Sequence, residues 1–202
     1  MDVDDLQVQT IEGTRVVTRN AASARSRGLE LDLHWLTPWR PLRIDGSGAL
    51  TDARFKRFPH APAPPSSGSS EQDLSGHRMP FVSTSQFHVA PNLTFGIASL
   101  PLIGTVVPHD LRLTAALDLL YRSSMFLRVD QGPHTRQRPY AIIDGRMGFS
   151  LRDETLWLGV SVENITDTNA LEFVTDSVFF PGGFGVIQEF QRTYSVAMKW
   201  TW

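Results

Sequence analysis

The chain has 202 residues, of which 41% are hydrophobic and 20% charged, with a formal net charge of −2. That balance excludes a disordered chain, and a sequence pI near 6.3 gives no electrostatic ground for a nucleic-acid partner. Cysteine is absent, which removes disulfides, thiolate metal sites and cysteine nucleophiles together.

The start, Met1-Asp2-Val3-Asp4-Asp5, has neither a basic region nor an apolar run and reads as lacking a secretion signal. The longest stretch free of Asp, Glu, Lys and Arg, Met79 to His109, contains Pro80, Pro91, Pro101 and Pro108. A spanning helix needs about 20 mostly apolar residues, so none is expected.

Period-two alternation, the signal of a strand, recurs along the chain. A short first strand is expected over Asp5 to Thr10, with Leu6 and Val8 against Gln7 and Gln9. Ile11 to Ala24 reads as a long connection. Leu29, Leu31, Leu33 and Trp35 then share one face, opposite Glu30, Asp32 and His34. After the short link Thr37-Pro38-Trp39-Arg40-Pro41, a weaker alternation runs from Leu42 to about Lys56, with Gly46 and Gly48 on its apolar face. Arg57 to Ser83 is a second long connection, and its Pro-, Ser- and Gly-rich part from Pro59 to Gly76 reads as mobile.

The alternation resumes with Phe87, Val89, Pro91, Leu93, Phe95 and Ile97, and again with Leu111, Leu113, Ala115, Leu117, Leu119 and Tyr121. Asp130 to Pro139 links to Ile143, Gly145, Met147, Phe149 and Leu151. Only Arg152-Asp153-Glu154 separates these from Leu156, Leu158, Val160 and Val162. A last long link, Asp167 to Ile187, leads to Tyr194, Val196, Met198, Trp200 and Trp202. Eight strands with shorter and longer links in alternation predict an all-β, antiparallel, up-and-down meander. All five tryptophans, Trp35, Trp39, Trp157, Trp200 and Trp202, fall at the end with the short turns. Such clustering suits aromatics at a membrane interface. Trp157 is an imperfect member, because its alternation puts it on the polar face.

Alternation alone does not separate a soluble β-sandwich from a membrane barrel. The ending Tyr194-Ser-Val-Ala-Met-Lys-Trp-Thr-Trp202 resembles the C-terminal signature of bacterial outer-membrane barrels. Four further pieces appear in order: Asp4-Asp5-Leu6-Gln7, Asn20 to Leu31, Gly46 to Phe55, and Val162-Glu-Asn-Ile-Thr-Asp167. With that ending they resemble the C-terminal part of the barrel of TonB-dependent outer-membrane receptors.

The resemblance implies a transmembrane β-barrel segment over residues 1–202, with about eight strands of a barrel of about 22. It implies outer-membrane lipid as surroundings and uptake of a scarce ligand such as an iron–siderophore complex. Tyr194, Val196, Met198, Trp200 and Trp202 would be read by the barrel assembly machinery. The plug domain is expected to be absent, so the TonB complex would act only through that missing plug. The chain alone is then not expected to transport. A complete small eight-stranded barrel and a soluble β-sandwich or lipocalin-like binding module stay open as alternatives.

No enzyme is expected, since no Gly-x-Ser-x-Gly elbow or polar triad stands out. No cofactor or metal is expected either. His34, His60, His77, His88, His109 and His134 lack metal-site spacing. Of these, His60, His77 and His134 fall in long links and read as solvated loop histidines, the alternative being that a ferric or haem ligand meets them there. Arg136, Arg138, Tyr140, Phe179 and Phe180 read as loop packing and solubility residues, the alternative being contact with an anionic, aromatic ligand; no ligand-binding residue is assigned.

Overall fold

The computed structural model describes residues 1–12, 15–99, 108–151, 155–177, 180, 183–189 and 191–201. Eight long strands are present: β1 (Asp2–Glu12), β2 (Arg15–Leu36), β3 (Leu42–Arg57) and β4 (Ser85–Gly96), followed by β5 (Arg112–Arg122), β6 (Tyr140–Leu151), β7 (Leu156–Glu163) and β8 (Thr193–Trp200). They form one sheet in chain order, every neighbouring pair antiparallel. This is the up-and-down meander that the alternation predicts. β1 and β8 stand at its two edges, and among the described residues they do not pair with each other.

The register explains why alternation was so legible. Leu42, Leu93, Ala115, Met147, Val160 and Val196 lie opposite one another in a single row across six strands. The adjacent row, one residue along, is Arg43, Asn92, Ala116, Arg146, Ser161 and Ser195. Slipping one strand by one residue would put arginine and serine among leucines, so the faces hold the register. In the middle strands the apolar face is the more exposed one, with Met147 at 48% and Phe149 at 44% against Ala116 at 8% and Ser150 at 4%, while β8 and residues 27–36 of β2 are exposed on both faces.

The first hairpin departs from expectation. Ile11 to Ala24 is not a connection: β1 and β2 pair continuously from Asp2↔Arg25 to Glu12↔Arg15. Asn20, Ala21, Ala22 and Ser23 show no contrast of polarity between faces, so a strand there has no period-two signature. The backbone ladder continues regardless of side-chain pattern.

The stretch from Pro59 to Gly76 is also more ordered than its composition suggests. Ala61–Pro62 pairs with Glu71–Gln72. Ala61 is 0%, Leu74 1% and Phe58 2% exposed. These residues join Ala24, Phe55 and Val129 in the buried hydrophobic cluster, with Leu6 and Met79 packed against it. The Phe55 and Phe58 rings are 5.0 Å apart and tilted by 59°. Apolar burial here comes from a few large residues among many Pro and Ser. Two further hairpins fold within the long connections, Met125–Phe126 with Arg136–Gln137 and Leu171–Asp176 with Phe184–Gln188. Every long connection therefore gathers at one end of the sheet.

Truncating Phe58 to Ala should leave a cavity costing about 3 kcal/mol. We expect limited proteolysis of Phe58→Ala to cut between residues 58 and 84, while circular dichroism reports an unchanged sheet. Equal protease resistance in the variant and the parent would show that the cluster does not hold this connection.

Candidate functional site

The polar face of the sheet carries paired side chains rather than isolated ones. His34 on β2 meets Asp45 on β3 at 2.5 Å, directly across the ladder. Arg43 Nε donates to the other Asp45 oxygen at 3.0 Å, and Asn92 Nδ2 on β4 does so at 3.3 Å. His88 lies 3.3 Å from Asp118. Asp118 is itself opposite Asp144, two carboxylates facing each other on one face. Asp144 accepts the Asn164 backbone N–H at 2.7 Å.

Asn164 explains the Val162-Glu-Asn-Ile-Thr-Asp167 piece physically. It ends β7 with φ of 49°, a left-handed backbone that asparagine tolerates better than most residues. Its Oδ1 accepts the Thr168 N–H at 2.8 Å, and its Nδ2 donates to the Thr168 carbonyl at 3.0 Å. The side chain thus closes the turn that starts the longest connection. It is 4% exposed, so both amide ends must be satisfied within the protein.

The loop end is tied by Arg128. Its guanidinium reaches Asp130 at 2.7 Å and Asp176 at 2.8 Å, joining the Met125–Phe126 hairpin to the Leu171–Gln188 hairpin. Burial opposes its charge, but Asp176 and Asp130 outweigh this and raise its affinity for the proton. Beside it, Pro64, Asp130, Pro133, His134 and Phe184 line a cavity of about 350 Å³. The His134 and Phe184 rings are 5.0 Å apart and tilted by 36°.

Of the candidate ligand contacts among the described residues, His134 alone lines this cavity. His60 is paired with Glu71 at 2.9 Å, and His77 is exposed. His34 and His88 face acids on the sheet, and His109 is exposed beyond the opposite end. Arg136 and Arg138 are exposed, and Phe180 is 72% exposed. Tyr140 is 8% exposed and its hydroxyl accepts a bond from Arg122 at 3.4 Å, so it is packed within the fold. Phe179 lies outside the described residues. No group of three His, Asp or Glu that would hold a metal occurs among the described residues.

The aromatics sort by face. Trp35, Trp39 and Trp200 are 49%, 57% and 67% exposed at the short-turn end. Tyr194, Val196, Met198 and Trp200 alternate on the apolar face of β8, a strand exposed on both faces; Trp202 lies outside the described residues. Trp157 is at the same end but turned to the polar face. Its ring covers Gly148 and Gly159 so closely that a Cβ at Gly148 would sit 2.7 Å from it. That position sets Trp157 apart from Trp35 and Trp200, which lie opposite Ile44 and Leu156 on the apolar face. A second aromatic set, at the loop end of the apolar face, was missed by counting tryptophans only. There Phe87 and Tyr121 stack at 6.2 Å, and Tyr194 is 70% exposed.

The sequence matches the family described as TonB dependent receptor-like, beta-barrel over residues 1–165. The fold is similar to the ferric yersiniabactin uptake receptor FyuA from Yersinia pestis, with a TM-score of 0.67 and 18% identity; the overlap covers 98% of this chain and 25% of that one. The siderophore receptor PiuA from Acinetobacter baumannii has a TM-score of 0.63 and 16% identity, over 95% of this chain and 23% of that one. The ferric-catecholate import receptor Fiu from K12 E. coli has a TM-score of 0.61 and 17% identity, over 98% and 23%. The chain thus spans about a quarter of the length of these receptors. No curated protein matches the sequence.

Two outcomes follow from the loop-end and Asn164 geometry. Asn164→Ala should cost about 2 kcal/mol, from the lost bonds and the strained φ, whereas Asn164→Gly should recover only the strain. Urea titration followed by circular dichroism measures the difference, and equal losses would show that the side-chain bonds contribute nothing. Burial, and then the neighbouring Glu172, raises the Glu189 carboxyl above its ordinary 4.5. Its stabilising contribution is full below that ordinary value and is lost as pH rises through the raised one. We expect the Leu171–Gln188 hairpin to resist protease better near pH 5 than near pH 7, and Glu189→Gln to abolish that contrast. An unchanged contrast in the variant would assign it to other groups.

Proposed function

The chain belongs to the TonB-dependent receptor β-barrel family, and from that premise we propose that residues 1–202 form the C-terminal portion of such a barrel in the outer membrane. The observation that supports this most is the open meander with its apolar face turned outward. Leucines, valines and phenylalanines that a soluble sheet would bury are the exposed residues here. In lipid those residues meet acyl chains, and the backbone polar groups between neighbouring strands pair within the ladder, as a bilayer demands. The tryptophans at the short-turn end and the Phe87–Tyr121 pair at the loop end stand where two interfaces would lie.

In this reading the loop end faces the exterior and the polar face lines a lumen. The Asp118–Asp144 pair and the His34–Asp45–Arg43 cluster then meet a plug domain or water rather than lipid. The cavity bounded by His134 and Phe184 lies where an incoming ligand first meets the barrel. The similar structures named above are receptors for siderophores, and the proposed cargo is an iron–siderophore complex or a comparably scarce ligand. Energy reaches the transporter from the TonB complex through the plug. The barrel assembly machinery reads Tyr194, Val196, Met198 and Trp200 of β8 together with the sequence's final Trp202. The edges of β1 and β8, unpaired with each other, would each expose a row of backbone groups to lipid, so the segment functions only when further strands complete the wall.

The test is expression of residues 1–202 in a strain lacking its own siderophore receptors, with labelled ferric siderophore uptake and fractionation measured together. The expected outcome is membrane-associated or insoluble chain that gains strand content only in detergent or lipid, with no uptake. Uptake by the chain alone would overturn its status as a partial barrel. A soluble, cooperatively melting monomer would instead favour a sandwich or lipocalin-like module.

A further inference from the structure

The apolar face of β2 and β3 changes character abruptly at one row. Leu29 pairs with Leu50 across the ladder. The next pair outward on the same face is Arg27↔Asp52, and the one after is Arg25↔Arg54. Arg54 also bridges to Arg78 of the following connection. Three arginines therefore stand side by side in one row, separated from the exposed Leu29 and Leu50 only by the Arg27–Asp52 pair. Cross-strand neighbours are about 5 Å apart at Cβ, and like charges placed so repel.

The local carboxylates do not balance this. Asp52 accepts from Arg54 Nε at 2.6 Å, and Asp2 lies beside Arg25 in register and 3.9 Å from Lys56. Asp4 is one same-face pair further out, opposite Ser23. Arg25, Arg27, Arg54, Lys56 and Arg78 thus outnumber the carboxylates of Asp2 and Asp52 that sit among them. No ion pair to Arg25, Arg27 or Arg78 is present among the described residues.

Below the arginines runs a groove of about 270 Å³ on the same apolar face. Leu29, Leu31 and Leu33 form one wall, Phe87 and Val89 the other, and Gly46 and Gly48 the floor. The glycines make the groove: a Cβ on Gly48 would lie 3.0 Å from the Phe87 ring.

Resting on the membrane orientation proposed above, we propose that this surface is a binding site for a phosphate-bearing acyl lipid. The phosphate is held by Arg25, Arg27, Arg54 and Arg78, and one acyl chain lies along the Gly46–Gly48 groove. Charge complementarity selects this occupant. Guanidinium groups chelate phosphate oxygens in pairs, an anion between Arg25 and Arg54 relieves their repulsion, and cations at a bilayer surface attract anionic headgroups. A second copy of the chain would bring its own arginines to the patch and is disfavoured.

The test uses the 202-residue chain reconstituted in phosphatidylcholine nanodiscs doped with phosphatidic acid or with diacylglycerol of identical acyl chains. Native mass spectrometry reads the lipid retained, and circular dichroism reads folding. Retention of phosphatidic acid over diacylglycerol is expected, falling about fivefold for each of Arg25→Gln and Arg27→Gln. Arg25→Lys should keep part of it, and inorganic phosphate in excess should not release the lipid. Arg27 is exposed and Arg25 half-buried, and neither side chain belongs to the buried hydrophobic cluster, so strand content should not change.

Equal retention of the two lipids by folded chain would overturn the site while leaving the membrane reading intact. Release by inorganic phosphate, or a dimer formed through the patch in place of lipid capture, would also overturn it. Chain that gains no strand content in any lipid would overturn the membrane reading and the site together.

Discussion

Inter-strand hydrogen bonding in one register is the constraint on which the rest of this structure depends. It sets Leu42, Leu93, Ala115, Met147, Val160 and Val196 in one row and Arg43, Asn92, Ala116, Arg146, Ser161 and Ser195 in the next. From that follow an apolar face, a polar face and a fixed height for every side chain along the strands. The aromatic positions, the cationic row and the acid pairs are all consequences of where the ladder places each residue.

The loop end shows a second kind of order laid on the first. There the chain leaves the sheet and builds a compact layer from Phe55, Phe58, Leu74 and Val129. Arg128 ties that layer laterally to the Leu171–Gln188 hairpin. The Arg128–Asp130 pair, at 12% and 3% side-chain exposure, is screened less than a surface pair, and Asp176, at 30%, adds its carboxylate from the neighbouring hairpin. Asn164 does a comparable job for the departing chain after β7.

Most of the fold was legible because half of each strand is apolar, and period two is then visible from Leu29 to Leu33 or from Tyr194 to Met198. Legibility failed where the two faces do not differ in polarity, as at Asn20-Ala21-Ala22-Ser23 of β2, since backbone pairing leaves no mark on such a sequence. It failed differently in Pro59–Gly76, where Phe58, Ala61 and Leu74 define the packing and the intervening Pro, Ser and Gly only shape turns. The site residues were less readable still. His134 and Phe184 are fifty positions apart and meet only through two separate hairpins. Arg25, Arg54 and Arg78 become neighbours only once the register is known.

The connectivity has one further consequence. In a meander of eight strands, the first and last run in opposite directions, so β1 and β8 are antiparallel to each other even though they do not pair among the described residues. Any set of strands that completes an all-antiparallel wall between them must be even in number, or none at all. An odd insertion would force one parallel seam, with slanted and less favourable bonds along its length. Counting parity from this one segment thus restricts every closed structure into which it can be built.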